Sequence, residues 1–192
     1  LKANKEVLRM TIRDTATVFV AAIMATIIAV GFTAARPEAA DAADTVKVKG
    51  CTGKRVALDS NEKVMLNKHN RTRANKGLRK LCVHPALQRA AEAHSRDMIR
   101  KDYFSHNSKS GATPYQRIKR EGYRFRAAGE NIAYGSGSYG SPNRIFKGWM
   151  KSSGHRKNIL NGKFREVGIG AVSGNYKGTN NVTMWTTDFG TR

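Results

Sequence analysis

Trp149-Met150-Lys151-Ser152-Ser153-Gly154-His155-Arg156-Lys157-Asn158-Ile159-Leu160 holds a histidine among residues suited to fixing it in place. Gly154 allows close approach or an unusual backbone angle next to the ring, and Arg156 and Asn158 can tie the local turn. Two upstream segments belong with this one. Tyr103-Phe104-Ser105-His106 places a second imidazole in a polar stretch, and Gly129-Glu130-Asn131-Ile132 carries a carboxylate between small and apolar neighbours. A carboxylate in that setting is either buried against a partner or placed in a pocket. It is the ordered set His106, Glu130, His155 that carries the reading, and no single member does.

Two neutral imidazoles and one carboxylate suit a divalent metal such as zinc, with His106 and His155 as the ligands and a position left for water. They suit general acid–base chemistry equally well. A structural role is open to each: a hydrogen-bonded histidine, or a glutamate that accepts backbone amides and locks its loop. The chain has no H-E-x-x-H and no G-x-S-x-G, and neither cysteine sits in a nucleophile signature. His69-Asn70 with Arg73 reads as a helix-packing and loop-anchoring group, and His94 as a core-facing ring.

The 192 residues allow one full domain plus a tail. The tail is N-terminal: Lys2, Lys5, Arg9 and Arg13 precede an uncharged run from Thr15 to Ala35, and Ala40-Asp41-Ala42 fits an A-x-A cleavage site. Basic, apolar, then small is the layout of a signal peptide over residues 1–43. The alternative is an N-terminal membrane anchor, because a bilayer needs only about 20 apolar residues. Either way the bulk of the chain is expected outside the cytoplasm, secreted or held at the outer membrane face.

The formal charge is +21, and residues beyond 42 keep 30 of the 35 Lys/Arg and 10 of the 14 Asp/Glu. A surface this basic attracts polyanions such as anionic envelope polymers or lipids, unless the charge serves only solubility. No zinc-finger spacing or aromatic RNA-binding strand is present, which argues against specific nucleic-acid recognition. Cys51 and Cys82 are the only cysteines. An even pair in an exported chain most often forms a disulfide, with two free thiols as the alternative.

Residues 44–58 read as an exposed lead-in to a domain spanning 59–192. Asp59 or Ser60 can cap a helix running to about Asn75, with Gly77 just beyond. Leu87, Ala91, His94 and Met98 recur at steps of four, three and four after Pro85, one buried helical stripe ending near Lys101. Thr113-Pro114-Tyr115-Gln116 is a capping box opening a short helix to Glu121, and Ser141-Pro142 opens another that turns Ile145, Phe146 and Trp149 inward. Val167, Ile169 and Ala171 alternate, and Val182–Phe189 follows a Gly/Asn-rich loop, so two antiparallel strands are expected. Residues 123–126 and 133–140 read as irregular or strand-like loops. One α+β domain results.

These segments resemble the CAP superfamily (cysteine-rich secretory proteins, antigen 5 and plant pathogenesis-related proteins) in its compact bacterial secreted form. The resemblance spans about Asp59 to Gly190. It rests on Leu66–Arg73 with Gly77-Leu78, Ala90–Met98, Phe104–His106, Gly129–Ala133, Trp149–Leu160, Phe164–Gly170 and Thr186–Gly190. It implies a single-domain α-β-α sandwich with a small antiparallel sheet between helical layers. It also implies a cleft lined by two histidines and two acids, which takes a divalent metal in some members. His106, Glu130 and His155 match three of the four; the second acid falls on Ser152, which cannot act as a base unaided and is a poor ligand. Three functions are open on this footing. The first is a binding module whose cleft holds an extracellular lipid, glycan or peptide. The second is an extracellular peptidase-like hydrolase using the His/Glu/His set, metal-assisted or not, and the third is a structural or matrix protein.

Overall fold

The structure, a computed structural model, describes residues 45–192. The signal-peptide or anchor reading lies on residues 1–43, outside the described residues. No helix among the described residues is long and apolar enough to cross a membrane.

The elements follow in the order β1 Val46–Lys49, β2 Arg55–Leu58, α1 Ser60–Ala74, β3 Cys82–Val83, α2 Pro85–Arg100 and α3 Pro114–Arg120. Then come β4 Ala127–Ser136, a 3-10 turn Gly137–Gly140, α4 Pro142–Lys151, α5 Ser153–Ile159, β5 Glu166–Tyr176 and β6 Thr179–Thr191. Asp59 closes a reciprocal capping box with Glu62, and Thr113 does the same with Gln116, so each satisfies backbone donors that a helix start leaves open. Leu87, Ala91, His94 and Met98 are all buried along α2.

The main sheet has the order β3-β5-β6-β4, with β5–β6 and β4–β6 antiparallel and the two-residue β3 joined in parallel. Successive residues of a strand point to opposite faces, and the two faces of β5 and β6 differ. Val167, Ile169, Trp185 and Phe189 pack with Met65 and Leu66 of α1, Ile145 and Trp149 of α4, and Ile159 of α5. On the other face Met184 packs with Met98 of α2, and Ser95 of α2 donates to Thr186 Oγ1 at 2.9 Å. Helices therefore cover both faces of the sheet, an α-β-α sandwich of the α+β class. Gly168 and Gly170 let α2 approach closely: a Cβ at Gly168 would lie 2.0 Å from Leu87 C, and one at Gly170 2.5 Å from Ala91 C.

Three departures from the sequence reading have physical causes. The lead-in is a β-hairpin, in register from Val46↔Leu58 to Lys49↔Arg55, with Val48, Val56 and Leu58 buried. The Cys51–Cys82 disulfide ties this hairpin to β3, and Cys51 N donates to Val83 O at 2.9 Å. Residues 127–136, with part of the stretch read as a loop, form one strand because all ten find register partners on β6. Finally, Gly154 is neither strained nor closely approached: it is helical within α5, its φ is not positive, and a Cβ there would meet nothing.

The buried cluster around α1 is as the sequence suggested. Arg73, fully buried, donates to the carbonyls of Arg79, Ile159, Asn161 and Phe164, so one guanidinium fastens the end of α1 to the loop leading into β5. Asn70 clasps Leu81 through both its backbone groups. His69 gives Nδ1 to Met65 O at 2.8 Å and sits among Phe146, Trp149 and Phe189, where burial lowers its pKa to about 4 and keeps it neutral.

Candidate functional site

β4 is an end strand of the sheet, and the site forms where both helical layers reach its edge. Glu130, Ile132 and Tyr134 point to one face of β4, and Asn131 to the other. His106 comes from the loop after α2, on the side of Glu130. His155 comes from α5, on the side of Asn131: Asn131 Nδ2 donates to His155 O at 3.0 Å, and Asn158 Nδ2 donates to Glu130 O and to Asn131 Oδ1. Trp149 Nε1 donates to Ile132 O at 3.2 Å and lies against the His155 ring. The stretch around His155 thus binds β4 rather than only carrying a ring, and Gly129 leaves room for Asn158, whose Oδ1 would be 3.0 Å from a Cβ there.

The two imidazoles meet in one open cavity of about 450 Å³, lined by Phe104, Ser105, His106, Asn107, Ile132 and His155. Glu130 stands behind His106. Its Oε1 is 2.7 Å from His106 Nδ1, and its Oε2 takes Arg117 Nη2 at 2.5 Å; the carboxylate is 2% exposed and the His106 ring 53%. With Nδ1–H committed to Glu130, the His106 Nε2 is the nitrogen left for a ligand. Burial, and secondarily the nearby His106, lower the His155 pKa, which keeps that ring neutral at physiological pH. Ser152 sits at the junction of α4 and α5, where its side chain makes no cap hydrogen bond, and it does not line the cavity.

Three residues that sequence reading did not assign to the site hold it. Arg117 on α3 is the anchor: beside Glu130 it donates to the carbonyls of His106 and Ala112, so one side chain fixes both the acid and the loop that bears the first histidine. His94, expected only as a core ring, holds Ser105 O through Nε2 at 2.9 Å, and burial lowers its pKa to about 4. Asp188 of β6 is fully buried and is the register partner of Glu130. Burial, with the Glu130 charge next, raises its pKa well above the usual carboxylate range. As a neutral acid it can donate to Glu130, whereas ionised it would face a like charge with Oδ2 unpartnered. A lone Asp between Trp185 and Phe189 in an inward-facing strand was the available signal; for Arg117 there was none.

The donor set does not fit a resident zinc ion. Zinc sites draw three or four ligands from the protein, and here Glu130 is engaged by His106 and Arg117, leaving two imidazoles. Among the described residues, one group of three metal-type side chains converges, Cys51, Cys82 and Glu166. Its two sulfurs are bonded to each other, so it is not a thiolate site.

The model of the Cysteine-rich secretory protein family, CAP, matches residues 66–189. An uncharacterized protein of Bacillus subtilis strain 168, YkwD, is 36% identical over 133 residues, which are 69% of this chain and 48% of that protein. The fold is similar to that of an extracellular SCP-domain protein of Bacillus anthracis, with a TM-score of 0.59 and 31% identity over 69% of this chain and 40% of that one. An outer surface protein of Borrelia burgdorferi shares the fold at a TM-score of 0.59 and 21% identity, covering 77% of this chain and 98% of that one. The chain spans about half or less of the two Bacillus proteins. Its family, matched over most of the described residues and on both helical layers, is CAP: the chain belongs to the cysteine-rich secretory protein family.

Proposed function

We propose that this is an extracellular binding module whose cleft at the β4 edge takes a glycan–peptide fragment of the cell envelope. The observation that carries the reading is the cavity itself. Four of its six lining residues, Ser105, His106, Asn107 and His155, offer hydrogen bonds, and Phe104 and Ile132 offer apolar walls. Mixed lining of this kind suits a polar ligand with apolar faces, whereas an acyl chain needs a largely apolar enclosure. Phe104 packs edge-on against the half-exposed Tyr134, which extends the apolar wall along the strand. Residues 1–43 direct export or anchor the chain at the outer face, consistent with the extracellular and outer-surface proteins that share its fold.

One observation favours a second reading, hydrolysis. A histidine whose Nδ1 is held by a carboxylate and whose Nε2 faces a cavity is arranged as a general base. Ser105 lines the cavity beside it, but its Oγ accepts from Asn107 N and makes no hydrogen bond to the ring, so water is the attacking group on this reading.

The test is retention on purified wall sacculi, comparing the chain with Phe104→Ala/Ile132→Ser and with His106→Ala, and assaying release of soluble fragments in parallel. Binding lost in the first variant without fragment release supports the module. Release abolished by His106→Ala would replace it with the hydrolase, and binding unchanged in both variants would remove the cleft from function.

A further inference from the structure

A larger cavity than the cleft lies elsewhere: a trough of about 740 Å³ across the outer faces of α1 and α4 that shares no residue with the cleft. The outer face of α1 follows from helical spacing. Glu62, Met65, Leu66, His69 and Arg73 turn inward, which leaves Val64, Asn67, Lys68, Arg71 and Asn75 outward, three or four apart and adjacent on the surface. Lys80 and Asn143 complete the polar lining, and Phe146 supplies an apolar part with Lys68 Nζ 5.9 Å from its ring centroid.

The trough is cationic and rich in side-chain amides. No carboxylate lines it. Among the described residues Arg89, Lys101, Arg117 and Arg192 are paired with acids, while Lys68, Arg71 and Lys80, like the remaining cations, are not. Lys68 and Arg71 stand one helical turn apart and repel each other. The end of α1 favours Arg71, because a helix C-terminus attracts cations, but that does not account for Lys80, beyond the helix. The side-chain amides of Asn67, Asn75 and Asn143 make no hydrogen bond among the described residues, whereas Asn70 beside them clasps Leu81.

We propose that this trough is a second binding site, for an acidic polysaccharide. Three cations without acids meet its carboxylates, free amides meet its hydroxyls, and the Phe146 surface meets the apolar faces of its sugar rings. Neutral glycans lack the charge, and an inorganic polyanion makes no use of the amides. The site stands independently of the cleft reading and would hold the chain on an anionic envelope while the cleft engages its own ligand.

The experiment measures binding of the full chain to polygalacturonate, with neutral dextran, polyphosphate and phosphatidylglycerol vesicles as comparators. The variant Lys68→Glu/Arg71→Glu/Lys80→Glu is set against Arg96→Glu/Arg100→Glu/Lys163→Glu, an equal charge change at exposed positions outside the trough. Three exposed ion pairs of ordinary strength correspond to a loss of about tenfold or more in affinity. That loss is expected for polygalacturonate in the trough variant only. Asn67→Ala/Asn143→Ala is expected to weaken polygalacturonate and leave polyphosphate unchanged. Should the Glu variant fail to fold, the Gln versions at the same positions carry the comparison. Equal losses in the two charge variants would overturn the site, leaving diffuse charge as the explanation. Tighter binding of polyphosphate or vesicles than of polygalacturonate would overturn the assignment of the ligand.

Discussion

Glu130 on β4 and Asp188 on β6 are register partners across an antiparallel ladder, and both carboxyl groups are buried on the sheet face that α2 and α3 cover. Two acids in one place cannot both ionise without opposing each other. The protein resolves this unequally. Glu130 receives Arg117 and His106, and Asp188 receives neither. Asp188 is thus a second carboxyl behind the site, held neutral by burial and by the Glu130 charge.

This inequality sets a pH dependence. The unfolded Asp188 carboxyl loses its proton above about pH 4, while the folded one keeps it, so stability falls as pH rises from there until the folded group also ionises. Asp188→Asn removes that loss and keeps a donor toward Glu130. The variant is expected to match the parent near pH 4 and to gain on it with rising pH, by at most about 1.4 kcal/mol per pH unit. Urea unfolding from pH 4 to 8 reads the difference. The opposing outcome is a gap that does not change with pH. Glu62, raised to about 8 chiefly by burial, adds a slope of the same sign in both proteins and cancels in the comparison.

Arg117→Ala leaves Glu130 buried with one partner and frees the carbonyls of His106 and Ala112. Removing one member of a buried ion pair costs about 3–5 kcal/mol, and denaturant unfolding is expected to show a loss of that order. Adding Glu130→Gln should recover part of it, because no charge is then stranded. A double variant no more stable than Arg117→Ala would mean that the carbonyl contacts alone carry the effect.

The Cys51–Cys82 bridge, across a sequence separation of 31, tethers the hairpin to β3. Cys51→Ser/Cys82→Ser is expected to lose about 3 kcal/mol through the freed unfolded chain. Because the hairpin is far from β4 in the chain, hydrogen exchange should rise first over residues 46–58 and leave β4 to β6 protected. Uniform loss of protection would show that the hairpin is part of the cooperative core.

Gly168→Ala and Gly148→Ala should behave oppositely. The first drives a Cβ into the backbone of α2 and is expected to cost several kcal/mol, roughly the scale of overpacking a tight core. The second adds a methyl in open space within α4 and is expected to gain up to about 1 kcal/mol from helix propensity. Thermal unfolding distinguishes them.

The sequence disclosed those parts of the fold whose signal is local. Asp59 with Glu62 and Thr113 with Gln116 are caps written in adjacent residues, and the alternation of Val167, Ile169 and Ala171 is a two-residue period. The hairpin was hidden because each strand is only four residues long. β4 was partly hidden because Ala-Ala-Gly-Glu-Asn-Ile-Ala-Tyr-Gly-Ser has little strand propensity and becomes a strand only through its ladder with β6. In the site, His106, Glu130 and His155 were legible as unusual residues in ordered segments. That Glu130 serves His106 and Arg117, and that Asp188 lies beside it, depends on tertiary placement, which residues 13 to 58 positions apart cannot announce.

His106 and His155 face one cavity. The most direct measurement of binding there follows the imidazole NMR resonances of both rings while the full chain is titrated with a soluble disaccharide–peptide fragment of the wall. Both rings are expected to shift together along one saturating curve, and Ile132→Ser to weaken that curve for both. Shifts in neither ring, or two curves with separate midpoints, would contradict a shared binding cleft.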